Sequence, residues 1–365
     1  MSHDLVVSGG LVVYPERTLR ADVGIDGERI AAVAPPGELR GKRTVKAEGC
    51  CVLPGVIDPH THPVYLDDIA SLSRSAAFGG VTSIVHYAYA KPGQSLLGEL
   101  RKMRAEGEAG SCTDFAERFL ETSPDVAEAE GIFRCVSIGR LMGCPVYIPH
   151  ISSAEGLAAI GFLRQRGARV YAETCPQYLG LTWGELKGRG ALGKVGPAIK
   201  TEEDRRALWQ GVRLGVLDTI GSDHAPKPKT VGEDFFKAAY GSPEVETMLP
   251  VVWHCGVNAG LITPNAVAAL LAENSARILG LAPRKGRLQP GADADLVVFD
   301  PAEPWTVTAA GQHTKAAYSL FEGRQLVGRV KKVVARGSLI VDGEDFLGRP
   351  GEGRFLATRA GGGES

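Results

Sequence analysis

The residues best equipped for chemistry are His60 and His62, which close the apolar run Val52-Leu53-Pro54-Gly55-Val56-Ile57-Asp58-Pro59-His60-Thr61-His62. Side chains two apart on a β-strand share a face, so this spacing sends both imidazoles the same way from a strand end. Two imidazoles held side by side make half of a metal site. An isolated His-x-His recurs by accident, and its weight depends on what else the chain places at strand ends. Three other strand ends carry ligand-type or charged side chains: His150 in Ile148-Pro149-His150-Ile151-Ser152, Glu173 in Ala172-Glu173-Thr174-Cys175-Pro176-Gln177-Tyr178, and Asp223 in Gly221-Ser222-Asp223-His224-Ala225-Pro226. Neutral imidazole nitrogens and a carboxylate are the donors Zn2+ accepts, and a zinc site with an open position brings the pKa of water down to about 7. That is equipment for hydrolysis at neutral pH.

The elements that must position these groups alternate. Strand signals at 56–59, 81–87, 145–149, 169–172 and 218–221 are separated by helix signals. The helices expected are 153–165, where Leu157, Ile160 and Leu163 recur at helical spacing, 202–214, 95–106 and 125–142. Alternation of this kind predicts parallel βα units, whose chemistry gathers at the carboxyl ends of the strands. Residues 4–52 instead read as short strands and turns, with Asp26-Gly27 as a hairpin signal, and the same texture returns after residue 286. Neither end has enough apolar surface alone, so the two are expected to pair into one β-sandwich. The predicted division is a sandwich from 1–52 and 287–350, a barrel-type domain from 53–286, and a flexible tail from 351–365.

Bulk properties narrow the partners. Forty-one basic residues against 42 acidic ones give a net charge of −1 with no basic block, which argues against nucleic acid and anionic membranes and for a small neutral substrate. No apolar run approaches the ~20 residues of a membrane span, and the N-terminus lacks a signal pattern, so a cytoplasmic protein is expected. The seven cysteines are scattered without the spacing of a zinc ribbon or a disulfide framework.

The order Pro54-Gly55-x-Ile57-Asp58-x-His60-x-His62, Ala76-Ala77-Phe78-Gly79-Gly80-Val81-Thr82, Glu173-Thr174-Cys175-Pro176-Gln177-Tyr178-Leu179, Gly221-Ser222-Asp223-His224, Asn274-Ser275-Ala276 and Gly291-Ala292-Asp293-Ala294-Asp295 resembles the cyclic amidohydrolases. The branch it resembles most is the dihydropyrimidinase and hydantoinase group, over residues 4–345. The resemblance implies an α/β fold with a (β/α)8 TIM-type barrel beside a β-sandwich, two divalent metals bridged by a carboxylated lysine, and hydrolysis of a cyclic amide. It also implies a homo-oligomer, often a tetramer. Carried over residue by residue, His60 and His62 match the pair on the first metal and His150 matches a ligand of the second. Asp223 matches the last-strand aspartate, which binds metal and shuttles the catalytic proton. Glu173 and Gln177 would hold a turn in shape, His224 would orient Asp223 or pack nearby, and His86 reads as a core histidine.

The chain departs from this pattern in one place. Two helices fill the interval 88–144, leaving no room for three βα repeats of about 30 residues each. Between Gly107 and Pro145 there is no lysine and no histidine. The bridging lysine, one metal-ligand histidine and the substrate-contacting tyrosine therefore have no counterpart. The expectation is an internal deletion of barrel strands 3 to 5, joined near Ala116, which leaves an incomplete barrel. One zinc ion, two at most, or another divalent metal would serve a hydrolase of impaired activity. Two other readings compete. A dihydroorotase or allantoinase is one, although Pro63-Val64-Tyr65-Leu66-Asp67 after the histidine pair lacks the arginine that would hold an acidic ring. The other is a non-catalytic dihydropyrimidinase-like protein, against which the retention of all four ligands speaks.

Overall fold

The computed structural model describes residues 2–87, 101–102, 104–106, 114–118 (backbone only), 128–186, 188–235 and 237–357. Both chain ends build one sheet. From the N-terminal side come β1 (His3–Val13), β2 (Thr18–Asp26), β3 (Arg29–Ala34), β4 (Gly41–Lys46) and β5 (Cys51–Pro54); from the C-terminal side come β12 (Leu296–Thr306), β13 (Gln325–Ala335), β14 (Ser338–Asp342) and β15 (Asp345–Phe346). Their order is β15-β14-β13-β12-β5-β1-β2-β3, with β4 also on β1. The first part of β1 takes β4 in parallel and the second part takes β5. The two are divided where the β1–β2 register shifts between Val7 and Gly10. Gly9 holds φ 76 there, a left-handed conformation that a bulge requires and glycine adopts without strain.

The central strands read as continuous apolar runs because both of their faces are buried. On β12, Leu296 and Val298 enter a cluster with Leu5, Val7, Val23 and Ile25, inside the sheet. Val297 and Phe299 point the other way, into the main core with Ile84, Leu249 and Trp253. On β5, Val52 joins the first cluster while Cys51 and Leu53 join the second.

The middle of the chain supplies parallel strands: β6 (Val56–Thr61), β7 (Val81–Tyr87) and β8 (Asp114–Arg118) in one three-stranded sheet, and β9 (Val146–Ile148), β10 (Val170–Thr174) and β11 (Thr219–Ile220) in another. Five of these follow the sequence expectation closely. The third, β8, corrects it, because Asp114–Arg118 pairs in parallel with β7 from Ser83↔Asp114 to Tyr87↔Arg118. Residues 112–115 resemble the beginning of a third strand in the sequence, and the described strand carries on from Asp114 through the expected join at Ala116 to Arg118. Among the described residues, no strand pairs with the outer edge of β8 or of β9.

The helix Ala154–Gln165 starts at Ser153, whose hydroxyl accepts from the Gly156 N–H. The helix Glu202–Arg213 starts with a reciprocal capping box between Thr201 and Asp204. Of the other two expected helices, 125–142 appears as Glu128–Leu141, with 125–127 outside the described residues, and 95–106 lies mostly outside them. The expected tail is shorter than 351–365. Leu356 is buried with Ile57 and Val85, and Arg354 pairs with Glu28, while 358–365 lie outside the described residues. No described helix is long and apolar enough to cross a membrane.

Candidate metal centre

The two three-stranded sheets meet at one seam, between β6 and β11. A parallel bridge joins Thr61 to His224, and the His62 N–H donates to the His224 carbonyl at 3.0 Å. A second clamp is Asp58 on β6, whose Oδ1 accepts the N–H of His60 at 3.1 Å and that of Ser222, just past β11, at 3.0 Å. His60, His62 and Asp223 therefore come together from segments 161 residues apart along the chain.

Three donor atoms converge. His60 Nε2 lies 3.1 Å from His62 Nε2, His62 Nε2 lies 3.0 Å from Asp223 Oδ1, and His60 Nε2 lies 3.4 Å from the same oxygen. Atoms bound tetrahedrally to one zinc at about 2.0–2.1 Å stand about 3.4 Å from each other. The donor set thus fits a single small divalent cation. Two imidazole lone pairs and a carboxylate this close repel unless a positive charge sits among them. In the protein alone that charge is a proton. Burial by itself would lower the pKa of His60, but the Asp223 and Glu173 carboxylates outweigh it and bring the value up to about 9. Burial likewise would raise Asp223, yet the His60 charge and the His62 hydrogen bond hold it at about 2. Burial lowers His62, and the charges of His60 and Lys227 lower it further.

The ligand orientation is enforced from behind. Glu173, fully buried at the end of β10, places Oε1 2.8 Å from His60 Nδ1. A carboxylate accepts, so Nδ1 carries the hydrogen and Nε2 turns its lone pair toward the convergence point. The other oxygen, Oε2, accepts from the Tyr147 hydroxyl at 2.6 Å. Gly221 makes room for this carboxylate, since a Cβ there would sit 2.6 Å from Glu173 Oε2. The rings of His60 and His62 are flanked by Tyr87, with centroids 4.7 and 5.4 Å away.

The sequence expectations sort as follows. His60, His62 and Asp223 are brought together; His150 stands beside them, its ring centre 5.4 Å from that of His60, outside the converging set. Burial, then the His60 charge, lower His150 to about 4, leaving it a neutral imidazole at pH 7. Both His150 and Asp223 have positive φ, 43 and 50, and such backbone strain clusters at functional sites. His224 packs away from the centre, with Nε2 3.1 Å from Asp67 Oδ2, and His86 is a buried core residue. The resemblance gives Glu173 a role in holding a turn, and the structure adds its support of His60. A carboxylate at a strand end within the same barrel was the available signal.

Residues 152–340 match the profile of the amidohydrolase family. Among curated relatives, the D-hydantoinase of Streptomyces coelicolor is 28% identical, covering 97% of this chain and 98% of its own length. The dihydroorotase of Pyrococcus horikoshii is 29% identical, covering 95% and 94%. The solved D-hydantoinase of Bacillus sp. AR9 superimposes with a TM-score of 0.91 at 28% identity, covering 96% of this chain and 98% of that one. The first alignment has 458 columns, so with 365 residues this chain leaves at least 93 of them as gaps. The chain spans its relatives end to end while being shorter, in keeping with an internal deletion. With the family profile matching just over half of its residues, this chain belongs to the amidohydrolase family.

Proposed function

We propose that the chain opens the ring of a hydantoin or dihydropyrimidine by hydrolysis, using one divalent cation, zinc, held by His60, His62 and Asp223. The observation that carries this reading is the convergence of three donor atoms, within 3.0 to 3.4 Å of each other, at strand ends of a family fold. The cation would make water reactive near neutral pH and polarise the ring carbonyl. Glu173 keeps the His60 ring turned toward it, and the Asp58 clamp keeps the two strand ends in register. The Asp223 carboxylate, ionised at neutral pH, takes a proton from the attacking water and delivers it to the departing ring nitrogen. His150, a neutral imidazole beside His60, is read as an additional ligand at the edge of the site. With no lysine or histidine between Gly107 and Pro145, one ion suits the chain better than a bridged pair.

On this reading 53–286 carries the chemistry, and the sheet from 1–52 and 287–350 braces it. The free cysteines of the described residues suit a reducing cytoplasm. Ile138, Leu141 and Met142 expose apolar surface that suits a homo-oligomer. The test is to strip the protein with a chelator, reload it with zinc, and measure both metal per chain and ring opening of 5-substituted hydantoins and dihydrouracil by ultraviolet absorbance. One zinc per chain with turnover of one ring is expected. Loaded protein that opens neither ring overturns the reading.

A further inference from the structure

Among the lysines on the segments that follow Asp223 or pack against them, Lys229 and Lys194 are committed. Lys229 Nζ donates to the carbonyl oxygens of Lys194 at 2.5 Å and Gly241 at 2.6 Å. Lys194 is nearly buried, its Nζ 4.5 Å from the centre of the Tyr240 ring.

Lys227 differs from both. Its backbone is fixed, because its carbonyl accepts from the Tyr318 hydroxyl at 3.1 Å, and the preceding carbonyl, of Pro226, accepts from the Leu66 N–H at 3.0 Å. Its side chain is only half buried, and Nζ lies 4.3 Å from the centre of the Tyr65 ring. The Tyr65 ring centre in turn is 6.3 Å from that of His62, so the ammonium stands at the rim of the candidate metal centre. Among the described residues, no carboxylate pairs with it. Lys315 pairs with Asp68, and Lys229 is held by two carbonyl oxygens, whereas an ammonium over an aromatic face at the rim of the site is available to a ligand.

We propose that Lys227 binds a carboxylate carried by the ring that is hydrolysed, which makes the chain selective for acidic cyclic amides. The inference rests on the cyclic-amide reading above and names its substrate class. It also revises an expectation from the sequence, because the segment 63–67 lacks an arginine but its Tyr65 ring supports a cation arriving from across the seam. An ammonium on a flexible stem meets a carboxylate as a point charge, without the planar alignment that a guanidinium demands. Such an attraction at a half-open rim weakens as salt rises.

The test uses zinc-loaded protein and two hydantoins, one with a carboxyethyl group at C5 and one with a propyl group there. Relative to the unaltered protein, Lys227→Ala should lose at least tenfold more kcat/KM toward the carboxylate ring than toward the neutral one, chiefly through KM. Lys227→Arg should restore most of the difference, and added salt should erode the preference of the unaltered protein but not that of Lys227→Ala. Equal losses on both rings, or no loss, overturn the proposal. Calorimetric titration of the carboxylate ring needs no turnover. If neither ring is opened, the hydrolysis reading falls by itself, and the titration still decides the role of Lys227: tenfold weaker binding to Lys227→Ala supports it, and equal binding overturns it.

Discussion

The β6–β11 seam and the opposite side of the barrel, where among the described residues no strand pairs with the outer edge of β8 or of β9, are the same architecture in two conditions. At the seam, backbone bridges, the Asp58 clamp and the Glu173 carboxylate hold the converging donors, and His60, His62, Asp58 and Glu173 are buried. On the far side, β9 is three residues long and only half buried, and the helix before it leaves Ile138 56% and Leu141 86% exposed. Strands paired on one side only also present edges that invite association. The contrast teaches that donor atoms gathered at a single seam keep their convergence while the far side differs. His60, His62 and Asp223 are held by contacts within β6, β10 and the segment after β11.

That contrast can be broken most directly at the seam. On the proposed reading Asp223→Asn removes the anionic donor and the proton carrier together, so kcat/KM should fall by about 10³-fold, within the range that positioned acid–base groups supply. Metal per chain after gel filtration should fall with it, and the melting temperature should fall as well, since the buried His60 loses its carboxylate partner. A variant that keeps both metal and activity would show that the convergence is fortuitous.

A smaller effect sharpens the comparison through packing. Ile84, on β7 and 1% exposed, lies in the main core, so Ile84→Ala should cost about 2–5 kcal/mol in denaturant unfolding. Ile138→Ala on the exposed face should stay within about 0.5 kcal/mol. Similar costs at the two positions would mean that the far side is covered in solution.

The smallest effect concerns pH. Glu244 is fully buried just past the His224–Ser242 bridge, and burial raises its pKa from 4.5 to about 7 despite a hydrogen bond from Thr247. Between these values the unfolded chain releases a proton that the folded one keeps. The stability due to the protonated carboxyl is therefore complete below about pH 4.5 and lost as pH rises through 7. Glu244→Gln keeps the acceptor and removes the titration, so the decline in unfolding free energy over that window should flatten by about 3 kcal/mol. An unchanged slope would place the titrating group elsewhere.

Much of this was legible from residue types. The period-two spacing of His60 and His62, and an aspartate directly after a short apolar strand, announced the donors because strand geometry fixes where such side chains point. The helix beginning at Ser153 and the one beginning at Thr201 were legible from their caps and apolar periodicity. The strand Asp114–Arg118 was legible only at its start, where 112–115 resemble the beginning of a third strand; Ala-Glu-Arg has neither an apolar run nor strict alternation, and pairing with β7 carries the strand on. The support given to His60 by Glu173 was hidden for a different reason. Which carboxylate meets which imidazole depends on how two sheets meet, and no local pattern encodes that meeting.

The two-faced burial of β12 carries a consequence for how the molecule comes apart. Leu296 and Val298 belong to one cluster and Val297 and Phe299 to the other, so neither can be exposed to water without stripping a strand from its counterpart. The bracing sheet and the hydrolytic body should therefore melt together, as one cooperative event, even though the chain visits the sheet first, leaves it, and returns to it last.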